Sequence, residues 1–220
     1  MDSLQKHYKE SSTKSEFGKR YISYLTGLLA GLDMGIVASI IEAIEIAGEK
    51  GRTVFFIGNG GSASTASHYA NDINIGTRAV DHPHFKAISL TDNVALMTAL
   101  ANDEGYNRIF SRQLEGAMQP GDVVIALSVS GNSENIIEAI EFAKANGALT
   151  IGISGFEGGK LDELADITLN IPTHHGEYGP VEDVFSIVGH LIYSFLKMDR
   201  RSKADIFHVH PYVFENRSMP

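Results

Sequence analysis

Cysteine is absent from the 220 residues. That removes a disulfide framework, a thiolate nucleophile and any cysteine ligand to a metal, and it fits a reducing compartment. Basic clusters are missing too: 18 Lys and Arg against 27 Asp and Glu give a formal charge of −9, with no Lys/Arg-rich block, which argues against a nucleic-acid surface. An anionic ligand must therefore be held by local geometry. No apolar stretch reaches the roughly 18 residues that span a bilayer, and the N-terminus lacks the apolar region of a signal peptide, so a cytoplasmic location is expected. Internal repeats, low-complexity segments and Pro/Gly-rich linkers are also lacking. With 43% hydrophobic residues the chain can build one good core, expected as a single domain: a helical arm over 1–50, a parallel-sheet core over 51–198 and an extension over 199–220.

Two serine- and glycine-rich turns stand out, Gly58-Asn59-Gly60-Gly61-Ser62 and Ser128-Val129-Ser130-Gly131-Asn132-Ser133. Each follows a short apolar run and opens a helical stretch, which places backbone N–H groups and small hydroxyls where an anion is favoured. The pattern strand, turn, helix recurs after Gly51, with strands expected at 53–57, 86–90, 123–127, 149–153 and 167–171 and helices after the first, second, third and fifth. Such alternation predicts an α/β three-layer sandwich around a five-stranded parallel sheet, with ligands beyond the carboxyl ends of its strands. Residues 1–14 are polar and without period, and are expected to be a disordered or arm-like start. Two amphipathic helices follow, one from Ser15 to Gly31 carrying Tyr21, Tyr24, Leu25, Leu28 and Leu29 on one face, the other from Met34 to Glu49 after Asp33 as N-cap. Their apolar surface exceeds what a small sheet needs, so packing on another subunit is expected.

Gly58 to Ala63 also satisfies G-x-G-x-x-A, a dinucleotide signature. A dinucleotide site wants an acidic residue about 20 positions on, whereas Asp92 lies much further along, and such a site has no use for the second turn. Helix capping would occupy Asn132 or Ser133 alone; three hydroxyls, Ser128, Ser130 and Ser133, exceed that need. His68 and Asp72 are four apart on the helix that opens at the first turn, so they share a face. Glu182, Ser186 and His190 form a polar stripe on the otherwise apolar last helix. An exposed His–Asp pair and a hydrogen-bonded core histidine are the ordinary explanations, but imidazoles and carboxylates on two helices also form a set suited to zinc or a similar divalent ion. His82 and His84 flank Pro83 in a loop, His174 and His175 precede the last helix, and His208 and His210 alternate in the tail as an extended arm would.

These motifs, together with Thr91-Asp92-Asn93, Ala101-Asn102-Asp103, Ile109 to Gln113 and Gly155 to Lys160, resemble the SIS (sugar isomerase) domain family over nearly the whole chain. Within it the likeness is to the branch interconverting sedoheptulose 7-phosphate and D-glycero-D-manno-heptose 7-phosphate. The resemblance implies a flavodoxin-like fold, aldose–ketose isomerisation through an enediolate, and a homotetramer with sites at subunit interfaces. It implies a substrate site of Asn59, Gly60, Gly61, Ser62, Asp103, Ser128, Val129, Ser130, Asn132, Ser133 and Glu182, with the phosphate on Ser62, Ser128, Ser130 and Ser133. It further implies one zinc-like ion per chain on His68, Asp72, Glu182 and His190, and Asp72 and His190 as the proton-transfer pair. Asp72 and Glu182 stand where the family usually has Glu and Gln, Phe185 where it has His, and Thr173 to Tyr178 replace its usual loop. The alternative within the family is a non-catalytic protein that binds a phosphosugar or a protein partner, as relatives associated with a replication initiator do.

Overall fold

The computed structural model describes residues 2–79 and 82–204. Five parallel strands, β1 (Thr53–Gly58), β2 (Lys86–Ser89), β3 (Val123–Ser128), β4 (Leu149–Gly155) and β5 (Ile167–Ile171), form one sheet in the order β2-β1-β3-β4-β5. The central strands β1, β3 and β4 are buried along almost their whole length, as continuous apolar runs in a doubly covered sheet should be. Their alternating side chains feed two cores. Phe56, Ile125 and Leu127 join Ile40, Ile44, Val184 and Val188 on one face, and Phe55, Ile57, Val124 and Ala126 join Phe110, Leu114, Ile136 and Ile140 on the other.

The first core is closed by α3 (Met34–Glu49), α4 (Gly61–Asn71) and α9 (Tyr178–Ala204), the second chiefly by α6 (Ser111–Ala117), α7 (Glu134–Ala145) and α8 (Gly159–Leu164), with α5 (Val94–Asp103) partly buried beside them. Before them lie α1 (Ser3–Lys9) and α2 (Lys14–Ala30). No residue of α2 is fully buried. It is tied to α9 and the loop before it by Tyr21, which donates to Asp183 Oδ2 at 2.5 Å, and Tyr24, which donates to Glu177 Oε2 at 2.6 Å. Burial and the Glu177 carboxylate together push the Tyr24 hydroxyl up to about 12.

Two expectations from sequence need correction. Residues 3–9 are helical, because Asp2 caps Gln5 N–H at 2.7 Å and the buried Glu177 accepts Leu4 N–H at 3.1 Å, a partner 173 positions away. A helix, α8, does follow the fourth strand, short enough to hide in sequence. The last helix runs to Ala204, into the segment expected as an extension, and His208 and His210 lie outside the described residues. Among the described residues no single helix is long and apolar enough to cross a membrane.

Candidate active site

The strand order reverses between β1 and β3, so the crevice at their carboxyl ends is the place where this topology binds ligands. Gly58 pairs in register with Leu127, so both serine-rich turns leave the sheet side by side at that point. In the first, Gly60 adopts φ +54°, a conformation that suits glycine, and Ser62 is buried one residue into α4. In the second, Ser128 is buried and its Oγ accepts Gly131 N–H at 3.2 Å, while Ser130 Oγ accepts Asn132 N–H at 3.3 Å. Gly131 has φ +62°, and a Cβ there would collide with the Gly158 carbonyl, because the Gly158–Lys160 turn packs directly behind. Asn132 completes that backing by accepting Lys160 N–H at 3.1 Å. Val129 is buried in the first core.

Thr13, Asp33 and Asn93 cap α2, α3 and α5 with their own side chains, whereas α4 and α7, the helices that start at the two turns, have no side-chain cap. Ser133 is the N-cap residue of α7, yet its hydroxyl accepts nothing from that helix. Helix starts in this state leave N–H groups that suit an anion; α6 and α8 lack a side-chain cap as well, so it is the hydroxyl-rich turns that set α4 and α7 apart.

The turns are bridged. Asn59 and the buried Asn135 exchange two amide hydrogen bonds of 2.9 Å, and Tyr106 donates to Asn59 Oδ1 at 2.9 Å. Asn59, Tyr106, Asn107, Ser133, Glu134 and Asn135 line an open hollow of about 430 Å³. Asn135 and Tyr106 were missed in the sequence; neither belongs to a turn motif, and only the approach of α7 and the 3₁₀ turn Tyr106–Arg108 to the first loop reveals them. Asp103 ends α5 exposed, its carboxylate taking the Asn102 amide at 2.7 Å. Asp92, the acid nearest to a dinucleotide role, is engaged by Ser67 Oγ.

Further along α4, three groups converge. Asp72 Oδ2 lies 3.4 Å from His68 Nε2 and 3.8 Å from His190 Nε2, and the two imidazole nitrogens are 3.5 Å apart. The rings meet edge to face, and the other Asp72 oxygen takes the Asn71 amide at 3.3 Å. These edges are close to the roughly 3.4 Å that separates ligands of a tetrahedral zinc with bonds near 2.1 Å. The donor set therefore fits a divalent ion held by two nitrogens and one oxygen.

Glu182 is not part of that group. Its carboxylate lies against Gly61, where a Cβ would collide with it, beside the uncapped start of α4. The His174 backbone N–H donates to Glu177 at 3.1 Å, and the His175 ring packs tilted against Phe156 with centroids 5.0 Å apart. Burial, and after it the Asp183 charge, hold the Glu182 carboxyl above its ordinary range. A carboxyl whose pKa is higher folded than unfolded favours folding below the unfolded value and loses that contribution as pH rises through the folded one. Glu182→Gln should accordingly raise the thermal midpoint at pH 7, and the gain should vanish below about pH 4, where carboxyls are protonated in either state. Calorimetry at both pH values checks this; no gain at pH 7 would mean the carboxylate is not strained.

The SIS domain family model matches residues 20–155. The phosphoheptose isomerase of Sulfurimonas denitrificans is 33% identical over 196 residues, 89% of this chain and 96% of the relative. That of Akkermansia muciniphila is 38% identical over 144 residues, 66% of this chain and 75% of the relative. Among solved structures, a phosphoheptose isomerase from Francisella tularensis superimposes with a TM-score of 0.74 at 25% identity, covering 90% of this chain and all of the other.

Proposed function

The chain belongs to the SIS domain family and is a phosphosugar isomerase, and from that premise we propose that it interconverts sedoheptulose 7-phosphate and D-glycero-D-manno-heptose 7-phosphate through an enediolate. The observation that carries this reading is the pairing of two uncapped, hydroxyl-rich helix starts at the switch point with an acid–base group further along one of the same helices.

Ser62, Ser128, Ser130 and Ser133 hold the phosphate, with Gly60, Gly61, Val129 and Asn132 shaping the turns around it. Asn59, Asp103 and Glu182 face the sugar hydroxyls. In the ketose-to-aldose direction Asp72 removes a proton from C1, leaving the enediolate, and the proton returns to C2. His190 carries a proton from the C1 oxygen to the C2 oxygen, so that no atom is gained or lost. His68, Asp72 and His190 would hold a zinc-like ion, one per chain, which would supply carbonyl polarisation; with it bound, Asp72 would act as base through its second oxygen and His190 through its second ring nitrogen. A protein that only binds phosphosugars would have no use for these three converging side chains, which favours the enzyme over a silent relative. Work in the cytoplasm fits the composition.

Ile187, Leu191, Phe195 and Met198 are exposed along one side of α9, and Ile22 and Tyr8 on the N-terminal helices. Such surface supports a homotetramer with sites between subunits. Sedimentation at micromolar protein should give a four-chain mass; a monomer would remove this part of the proposal. The isomerisation itself is tested by incubating the protein with C5 to C7 ketose phosphates and following aldose formation, with the C7 substrate expected to turn over fastest. No turnover of any of them would overturn the enzyme reading.

A further inference from the structure

Asp72 is the first residue of a π turn, Asp72–Gly76, where the chain winds wider than in the α-helix before it. Wide turns of this kind do not persist by themselves, and this one is attached on several sides. Ile73 is buried in the first core, and the buried Thr77 returns its hydroxyl to Ile73 O at 2.5 Å. Gly76 lies directly on the ring of Tyr193, leaving no room for a Cβ, and Tyr193 is one turn beyond His190 on α9.

The remaining attachment is the side chain of Asn74. Its Nδ2 donates to Ala87 O at 2.5 Å and its Oδ1 accepts Ala87 N–H at 3.0 Å. Ala87 sits on β2, an edge strand whose inner neighbour is β1. An edge strand presents unpaired backbone groups outward, and the Asn74 amide supplies the peptide that a further strand would have offered. The turn that carries Asp72 is thus anchored to the sheet by Asn74 and to α9 by Gly76, and α9 is the helix that carries His190.

We propose that Asn74 is a positioning residue for the isomerisation: its two bonds to the β2 edge fix the π turn, and thereby fix the Asp72 carboxylate between His68 and His190. This rests on the reading of Asp72 as the base. Asn74→Ala should lower kcat by roughly 10- to 100-fold, since displacements near 1 Å cost that much in an aligned site, while KM for the sugar phosphate stays within about twofold because the serine turns lie at the other end of α4. The decisive measurement is a double-mutant cycle with Asp72→Asn. If Asn74 acts through Asp72, the two losses are not additive, and the double variant turns over no more slowly than Asp72→Asn alone. Asn74→Gln keeps both the donor for Ala87 O and the acceptor for Ala87 N–H one methylene further out and should fall between wild type and Asn74→Ala, which provides the same cycle should the alanine variant not fold. Additive losses, or a rise in KM at constant kcat, would overturn the inference and leave Asp72 in its role. An Asp72→Asn enzyme with normal kcat would instead remove the base reading, and this inference with it.

Discussion

Replacing Asp72 by Asn should lower kcat by roughly two to four orders of magnitude, the range expected for a well-placed general base, with KM nearly unchanged. The side chain is 19% exposed, with one oxygen turned to both imidazoles and the other to the Asn71 amide. Asparagine keeps the volume and one acceptor but cannot take a proton from carbon. The proposed phosphate site at Ser62 lies ten residues back, at the start of α4, and binding there should survive, so the loss would belong to the chemical step. Two readouts separate this from general damage: kcat and KM measured apart, and exchange of the C1 hydrogen with deuterated solvent, which should fall together with kcat. An increase in KM at constant kcat would make Asp72 a binding group only.

The sheet was legible in the sequence because burial on both faces turns its central strands into unbroken apolar runs, such as Val54 to Ile57 and Val123 to Leu127. The two turns were legible because their chemistry is local: glycines at positive φ, hydroxyls around a helix start. What depends on distant partners was not. Helix α1 is fixed by Glu177, 173 positions beyond Leu4, and the Asn59–Asn135 pair forms only once β1 and β3 lie side by side. The spacing of Glu182, Ser186 and His190 correctly placed three polar groups on one helix, but two turns separate the ends of that stripe, about 12 Å along the axis. A side chain there can turn toward either neighbour. Glu182 turns to Gly61 at the start of α4, and His190 turns to His68 and Asp72. Spacing fixes the face of a helix, not which of two sites along it each group serves.

Exchange of Ser130 and Ser133 together for alanine should raise KM by roughly 100-fold or more, since a hydrogen bond to a charged group contributes about 1.5–3 kcal/mol and two such bonds are lost. Neither change removes much from the fold. The Ser133 side chain caps nothing in α7, so the usual loss of about 1 kcal/mol for a missing N-cap does not apply. Ser130 gives up only a 3.3 Å bond from Asn132 N–H, while the turn stays braced by the Asn132 amide on Ser130 O at 2.9 Å and by the Gly158–Lys160 turn behind it. The thermal midpoint of the double variant should therefore stay near that of the wild type. Inhibition by inorganic phosphate should weaken in parallel with KM, because both are read through the same hydroxyls, and kcat at saturating substrate should change far less, because His68, Asp72 and His190 are untouched. A folded double variant with unchanged KM would mean that the phosphate is held elsewhere, and the hydroxyls at the switch point would then need another explanation.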